Sequence, residues 1–185
     1  MVHAADPTLH AIVRGAIDAT GASHGWLLAN DDTGLRVVAV GGEHPTASVG
    51  DTVAPTGGSF GYVVSSGQPL ALQPQVGRND PWTEPHPLVD GVPTSICSVP
   101  CDGIGALVGV LEVVDKVNGT FTFDDVEVVT MLGGIAGAAL DSGTAVTEAM
   151  PDPAGIADEL SSLRDTDPDQ YRRIATLIES LLANV

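Results

Sequence analysis

Apolar residues near the N-terminus recur three and four positions apart from Leu9 to Ile17, which is the spacing of one helix face. Asp6 followed by Pro7 is typical of a helix start, because an aspartate side chain caps free N–H groups and proline fits the first helical position. Gly21 ends the pattern, as glycine often does after a helix. The chain therefore opens with an amphipathic helix.

Beyond Gly21 the pattern changes to short apolar runs bounded by turn residues, which is typical of strands. A short helix is predicted between Gly57 and Gly67, and a long one from Phe123 to about Leu140, with Thr122 as its cap. The predicted strands are Ser23–Asn30, Leu35–Val40, Leu70–Gln73, Ser95–Pro100 and Gly105–Lys116. This order favours an α+β fold in which an antiparallel sheet carries the terminal helices on one face.

Two stretches lack this periodicity. The segment Pro74–Pro93 holds five prolines, and long loops of this kind in compact domains are usually functional or mobile. Residues 142–155 are small, polar and proline-containing, so we predict a linker there. Residues 156–185 then form a C-terminal helical appendage with apolar positions at Ile156, Leu160, Leu163, Tyr171, Ile174, Leu177, Ile178, Leu181 and Leu182.

The net charge and the search for leader segments indicate which partners and which cellular location to expect. The 185 residues include 24 acidic and 7 basic ones, a net charge of −17, so the protein repels nucleic acid and anionic lipid. We find no signal peptide pattern and no apolar run long enough to span a bilayer, and we expect a cytoplasmic protein. Cys97 and Cys101 lie about 13 Å apart if they share one strand, too far for a disulfide. We therefore expect reduced thiols.

Three stretches together resemble a GAF domain: Gly58–Leu70, Ile104–Lys116 and Phe121–Glu127. They occur in the order and spacing of that family, over about residues 5–141. The resemblance implies a PAS-like or profilin-like antiparallel sheet of five to six strands, with terminal helices on one face. It also implies a small-molecule pocket on the other face, roofed by the loop Pro74–Pro93.

The resemblance gives a set of candidate ligand-binding residues under that roof: Trp26, Phe60, Trp82, His86, Cys97 and Glu112. Trp26 and Phe60 can equally be plain core residues that fill the volume. Glu112 interrupts an apolar strand on the same side as Val110 and Val114. It lies either at a solvated sheet edge or in a cavity, where a carboxylate would favour a cationic or hydrogen-bond-donating ligand.

Lys116, the only lysine of the chain, lies four positions after Glu112 at the predicted strand end. GAF domains that bind cyclic nucleotides carry Asn-Lys, then Phe, then Asp-Glu here. This chain matches Lys116, Phe121 and Asp125 but has Asp115 and Val126 at the other two positions. The partial match predicts a structural ion pair between Lys116 and Asp125, and the two departures disfavour a cyclic nucleotide.

Other chemistry has weaker support in the sequence. Free methionine-(R)-sulfoxide reductases are also single GAF-like domains, so Cys97 or Cys101 could belong to a small thiol enzyme. That family's additional cysteine and its acidic, serine-rich stretch are missing here, and we expect no enzyme. The five histidines are dispersed, so we predict no metal site. No second feature supports haem binding through His24 or His86, and the cofactor stays unassigned.

The resemblance suggests a regulatory signalling module that binds a small molecule or a partner protein and transmits through its terminal helices. GAF domains often form homodimers through the first and last helices, and their output proteins are commonly kinases, phosphatases or transcriptional regulators acting here in trans. Gly133, Gly134 and Gly137 weaken the last helix, which suggests close approach of a neighbouring helix. A structural assembly module without ligand is the further alternative.

Overall fold

The computed structural model describes residues 6–32, 34–43, 46–75, 82 and 85–149, and in the C-terminal region residues 161–164, 166, 168, 170–172 and 174–175. Helix α1 (Pro7–Thr20) begins as predicted, with the Asp6 carboxylate accepting a hydrogen bond of 2.8 Å from the Thr8 N–H. It ends at Gly21, whose φ of +70° favours a residue without a side chain.

The described strands form one antiparallel sheet. In chain order the elements after α1 are β1 (Ala22–Asp31), β2 (Gly34–Gly42), β3 (Thr52–Val53), helix α2 (Gly58–Ser66), β4 (Leu70–Leu72), β5 (Ile96–Asp102), β6 (Leu107–Lys116) and helix α3 (Phe123–Ala149). The strand order is β3-β2-β1-β6-β5-β4. The two-residue β3 was not predicted, because two extended residues leave no readable alternation. The fold class expected from the sequence is confirmed.

One face of the sheet packs against α1 and α3. Its buried apolar residues alternate along the strands and include Leu27, Val99, Leu111 and Val113. Val13 of α1 is among the helix residues that complete this layer. The other face is covered by α2 and by described residues of the loop between β4 and β5, among them Leu88 and Val89. We call this loop the roof loop. We call the two sides of the sheet the helix face and the roof face.

The glycines of α3 approach the sheet and not another helix, which corrects the expectation from the sequence. A Cβ at Gly133 would lie 2.9 Å from the Pro100 carbonyl oxygen, and one at Gly137 would lie 2.2 Å from the Asp102 carbonyl oxygen. Gly134 faces open space. Gly133 and Gly137 therefore let α3 lie directly on the end of β5, and this contact offsets their low helix propensity.

Strand β5 continues through Pro100, so both cysteines lie in one strand as expected. Pro100 lies beyond the segment of β5 that pairs with β4, at the open edge of the sheet, where a strand tolerates a missing N–H donor. Cys97 and Cys101 are both buried and free.

Helix α3 runs nine residues beyond its predicted end and includes the first eight residues of the predicted linker. The chain divides into two compact units, Met1–Gly143 and Thr144–Val185. In the second unit, the described residues between 161 and 175 are helical, and Leu163, Tyr171 and Ile174 are half-buried. The stripe positions Ile156, Leu160, Leu177, Ile178, Leu181 and Leu182 lie outside the described residues. The limits 5–141, 142–155 and 156–185 stay a prediction.

Candidate functional site

A row of three polar or aromatic side chains crosses the middle of the roof face. The antiparallel register places Trp26 of β1 opposite Glu112 of β6, and Glu112 opposite Ser98 of β5. Residues directly opposite each other on one face are close enough for their side chains to interact. Trp26, Glu112 and Ser98 are therefore neighbours, although they are far apart in the sequence.

Glu112 is fully buried, with a relative exposure of 0%. The indole N–H of Trp26 donates a hydrogen bond of 3.0 Å to Glu112 Oε1. His86 Nε2, from the roof loop, lies 2.9 Å from the same oxygen. Of the two alternatives that the sequence left open, the structure has the buried one. Glu112 lies inside the domain and not at a solvated edge.

His86 is the roof residue that reaches into this site, and it is 8% exposed. Its ring centroid lies 5.3 Å from the Trp26 ring and 5.3 Å from the Phe60 ring, so both aromatic side chains contact it. The Leu88 N–H donates to His86 Nδ1 over 3.2 Å, which makes Nδ1 an acceptor. The ring proton that we assign by this bond then lies on Nε2, facing Glu112.

Some buried polar atoms around Glu112 have no hydrogen-bond partner among the described residues. In the described part of the chain, Glu112 Oε2 and Ser98 Oγ are buried without a hydrogen-bond partner. His86 Nε2 is close to Glu112 Oε1 but not aligned for a full hydrogen bond. An unpaired buried polar group costs about 1–3 kcal/mol. The cluster formed by Trp26, His86, Ser98 and Glu112, which we call the inner cluster, thus has free capacity for a further polar group.

A cavity of about 300 Å³ lies next to the inner cluster. It is bounded by β3, by the N-terminal turn of α2 and by the roof loop, and His86 and Phe60 belong to both the cavity wall and the packing around Glu112. Ser59, whose buried hydroxyl also lacks a partner, lines it. Among the described lining residues none carries a carboxylate, an amine or a guanidinium group. The cavity has the mixed, mainly apolar wall of a small-molecule site.

The comparison with known families decides the identity of this fold. The sequence profile described as the GAF domain matches residues 3–141, about three quarters of the chain. The chain belongs to the GAF domain family. The resemblance inferred from three stretches of sequence is thereby confirmed.

Solved GAF structures resemble this one at low sequence identity. The second GAF domain of DevS from Mycobacterium smegmatis matches with a TM-score of 0.59 at 19% identity, covering 76% of this chain and 96% of that domain. The GAF domain of an Acinetobacter phosphoenolpyruvate-protein phosphotransferase matches with 0.61 at 19%, covering 76% and 84%. A type II free methionine-R-sulfoxide reductase from Thermoplasma acidophilum matches with 0.58 at 15%, covering 74% and 92%. These likenesses show the fold. No curated protein sequence matches the chain significantly.

Within this GAF domain, five of the six predicted ligand-binding residues lie on the roof side. Trp26, Phe60, His86 and Glu112 surround one another, and Trp82 lines the cavity, where its ring meets Tyr62 edge-on at 6.1 Å. Cys97 has to be removed from the set. Side chains alternate along a strand, so Cys97 points to the helix face while its neighbour Ser98 points under the roof.

Two roof-face serines were missed by the sequence analysis. Ser98 sits between apolar positions of β5, and its alternation with Cys97 and Val99 was the available signal. Only the register shows that it lies opposite Glu112. Ser59 follows two glycines at the start of α2 and gave no signal of burial.

Both thiols of the GAF domain are buried in surroundings that disfavour the thiolate. Burial raises the pKa of Cys97 to about 12, and the negative charges of Glu112 and Asp125 add to the effect. Burial also raises the pKa of Cys101 to about 12, with Asp102 contributing. A nucleophilic cysteine needs the opposite, a lowered pKa and access to solvent.

At the other end of β6, Lys116 Nζ forms an ion pair with Asp125 Oδ2 at the start of α3. Asp125 also accepts hydrogen bonds from the Thr122 N–H at 2.6 Å and the Thr122 hydroxyl at 2.9 Å, while the Asp125 N–H donates to Thr122 Oγ1. This reciprocal arrangement is a capping box. Lys116 is thus tied to the first turn of the last helix.

The contacts of Asp125 predict that the stability of the domain falls in acid. Burial of the Asp125 carboxyl raises its pKa, but hydrogen bonds from Lys116 and Thr122 outweigh burial and hold the pKa below its ordinary value. Its contribution to stability is therefore fully present above about pH 4 and is lost as the pH falls through the lowered pKa. Asp125→Asn is expected to lower the free energy of unfolding at neutral pH by about 1–3 kcal/mol. Urea unfolding at stepped pH measures the difference.

The matched control is Asp124→Asn, because Asp124 is an exposed carboxylate in the same helical turn. It is expected to change stability by no more than about 0.5 kcal/mol. A loss for Asp125→Asn that stayed constant down to the lowest pH would contradict the assignment.

Asp115, next to Lys116, connects the same region to the roof loop. Its φ of +56° is unusual for a residue other than glycine, and its carboxylate accepts hydrogen bonds from the Thr94 N–H at 2.7 Å and the Thr94 hydroxyl at 2.8 Å. The Lys116 N–H donates to Ser95 Oγ at 2.9 Å. The end of the roof loop, the end of β6 and the start of α3 are therefore joined by consecutive polar contacts.

Proposed function

We propose that this GAF domain is a non-enzymatic regulatory module that binds a small molecule under the roof loop and transmits its presence through the terminal helices. The observation that carries the proposal is the cavity of about 300 Å³ beside a buried polar cluster with unsatisfied atoms. Unpaired buried polar groups cost free energy, and a bound ligand would offset that cost by supplying the missing partners.

The polar contacts from the roof loop to α3 supply the transmission. A ligand that moves the roof loop changes the Thr94–Asp115 contact, and Asp115 is followed directly by Lys116, which pairs with Asp125 of α3. Such a ligand shifts the helix only to the extent that it binds two arrangements unequally. The network provides a physically continuous connection for that difference.

The output surface of the proposed module is α3 together with α1. Val128, Met131 and Ile135 form an apolar stripe along α3, and Met131 is 71% exposed. We propose that this stripe supports homodimerisation through the first and last helices, with a kinase, phosphatase or transcriptional regulator responding in trans in the cytoplasm. No helix in the described part of the chain meets the length and hydropathy needed to cross a bilayer.

The environment of the thiols argues against the second candidate, a sulfoxide-reducing thiol enzyme. Cys97 and Cys101 are buried on the helix face, and their pKa values of about 12 keep the thiols protonated at neutral pH. The cavity lies on the opposite face. The third candidate, a purely structural module, predicts that nothing binds in the cavity.

Native mass spectrometry of the full chain purified from its own host tests the proposal. We expect a reproducible additional mass on the wild type. Thr56→Phe should abolish it, since Thr56 is an exposed residue of the cavity wall that a larger side chain would extend across. Thr120→Phe, at an exposed threonine that does not line the cavity, should retain it. A wild type without bound mass, or a Thr56→Phe variant that binds as well as wild type, would overturn the proposal.

A further inference from the structure

We propose that His86 is a surrogate ligand, and that the inner cluster recognises a planar, positively charged nitrogen heterocycle carrying two adjacent N–H donors, which displaces His86 on binding. This inference rests on the proposed function and names its ligand class. It follows from the shape around His86, from the unpaired atoms beside Glu112 and from the charge of the protein.

The shape of the site comes from the packing of the histidine ring. The imidazole of His86 contacts both Trp26 and Phe60, with both centroid distances at 5.3 Å and interplanar angles of 33° and 57°. Both centroid distances lie in the range in which aromatic rings attract each other, so another aromatic ring in the place of His86 would keep these contacts. With His86 withdrawn, Trp26 and Phe60 would border a slot sized for a single five-membered ring.

The hydrogen-bonding capacity of the slot exceeds what His86 supplies. Glu112 Oε1 is approached by Trp26 Nε1 and by the poorly aligned His86 Nε2, while Glu112 Oε2 has no partner in the described part of the chain. Ser98 Oγ, on the strand opposite Glu112, is likewise unpaired. A group with two parallel N–H donors would engage both carboxylate oxygens, the geometry that makes such pairs strong.

Charge favours a cation in this position. Glu112 is buried, and a buried carboxylate is stabilised best by an opposite charge that also donates hydrogen bonds. The net charge of −17 draws cations toward the protein and repels anions. Raising the ionic strength is therefore expected to weaken binding of the ligand by slowing its association.

Displacement of His86 also explains how binding would reach the roof loop. His86 belongs to that loop, and Leu88 two residues later is held by its N–H bond to His86 Nδ1. A ligand in the slot breaks this bond and removes the ring from its contacts with Trp26 and Phe60. The roof loop then loses one of its contacts with the sheet, while the ligand satisfies the atoms that His86 leaves unpaired.

Complementation of a His86→Ala variant tests the inference. Isothermal titration calorimetry with the full chain should detect binding of imidazole to His86→Ala, and of 2-aminoimidazole at least tenfold more tightly, since its ring N–H and exocyclic NH₂ lie side by side and it is cationic at neutral pH. Thiazole, a flat ring without an N–H donor, should not bind. Adding Glu112→Gln should weaken 2-aminoimidazole binding at least tenfold. The control variant His10→Ala, on α1, should bind like wild type.

Wild type provides a measurement that does not depend on the variant folding. With ¹⁵N-labelled histidine, addition of 2-aminoimidazole should shift the His86 ring resonances as the ring leaves Trp26, at a concentration at least tenfold higher than His86→Ala requires. Unchanged His86 resonances under saturating 2-aminoimidazole, or a folded His86→Ala variant that binds thiazole as well as imidazole, would overturn the inference. A host ligand that fills the cavity but lacks N–H donors would overturn it too, while leaving the proposed function intact.

Discussion

Gly137→Ala is expected to destabilise the GAF domain by at least about 2 kcal/mol, because the added methyl group overpacks a tight contact. A Cβ at this position would lie 2.2 Å from the Asp102 carbonyl oxygen and 2.9 Å from the Asp102 amide nitrogen. These are backbone atoms of β5, which cannot move aside as a flexible side chain would. The whole helix α3 would have to lift from the sheet.

Gly134→Ala provides a control of opposite sign in the same helix. Its Cβ would meet nothing within 4 Å, so the substitution adds helix propensity without a clash. We expect a stabilisation of up to about 1 kcal/mol. Urea unfolding of both variants measures the two free energies. Two stabilised variants would mean that α3 does not lie against β5 as described.

Glu112→Ala is the second substitution with a large expected effect. It removes the acceptor of the Trp26 indole N–H and the carboxylate that faces His86, and it leaves a void in a site with 0% exposure. Leaving the buried Trp26 N–H without an acceptor costs about 1–3 kcal/mol and the void adds to this cost, so we expect a loss of about 2–4 kcal/mol. Thermal and urea unfolding, followed by tryptophan fluorescence, report on stability and on the surroundings of Trp26 together.

Glu112→Gln separates the contribution of the hydrogen bond with Trp26 from the contribution of the negative charge of Glu112. The glutamine side-chain oxygen can still accept from Trp26 Nε1, so the expected loss is smaller, about 1–2 kcal/mol. Combining each variant with Trp26→Phe completes a double-mutant cycle, and the coupling should be larger for Glu112→Ala than for Glu112→Gln. Changes below about 0.5 kcal/mol in both variants would contradict a structural role for the carboxylate.

The inner cluster also shows which features of the site the sequence could predict. Alternation along β6 was enough to place Glu112 on the same side as Val110 and Val114. Whether that side faced water or a covered space depended on the roof loop, whose residues show no periodicity. Sequence patterns report on repeating local geometry, and a long irregular loop has none.

Cys97 illustrates the same limit within a strand. The resemblance to the GAF family made it a candidate, but the two faces of a strand differ by a single residue step. The strand was predicted, whereas its orientation relative to α1, α3 and the roof loop followed only from packing. The ion pair between Lys116 and Asp125 was easier to anticipate, because both residues belong to one recognisable family pattern.

The sequence alone determined the order of the elements other than β3, the α+β class and the caps of α1 and α3, since these depend on local propensity and spacing. The resemblance to the GAF family, and not local propensity, supplied most of the roof-side residues. Tertiary structure alone decided that α3 lies on β5 through Gly133 and Gly137, and that Trp26, His86, Ser98 and Glu112 meet in one buried cluster. Such contacts join residues that are distant along the chain. They depend on strand register and on how side chains fill the space between layers, which no local pattern encodes.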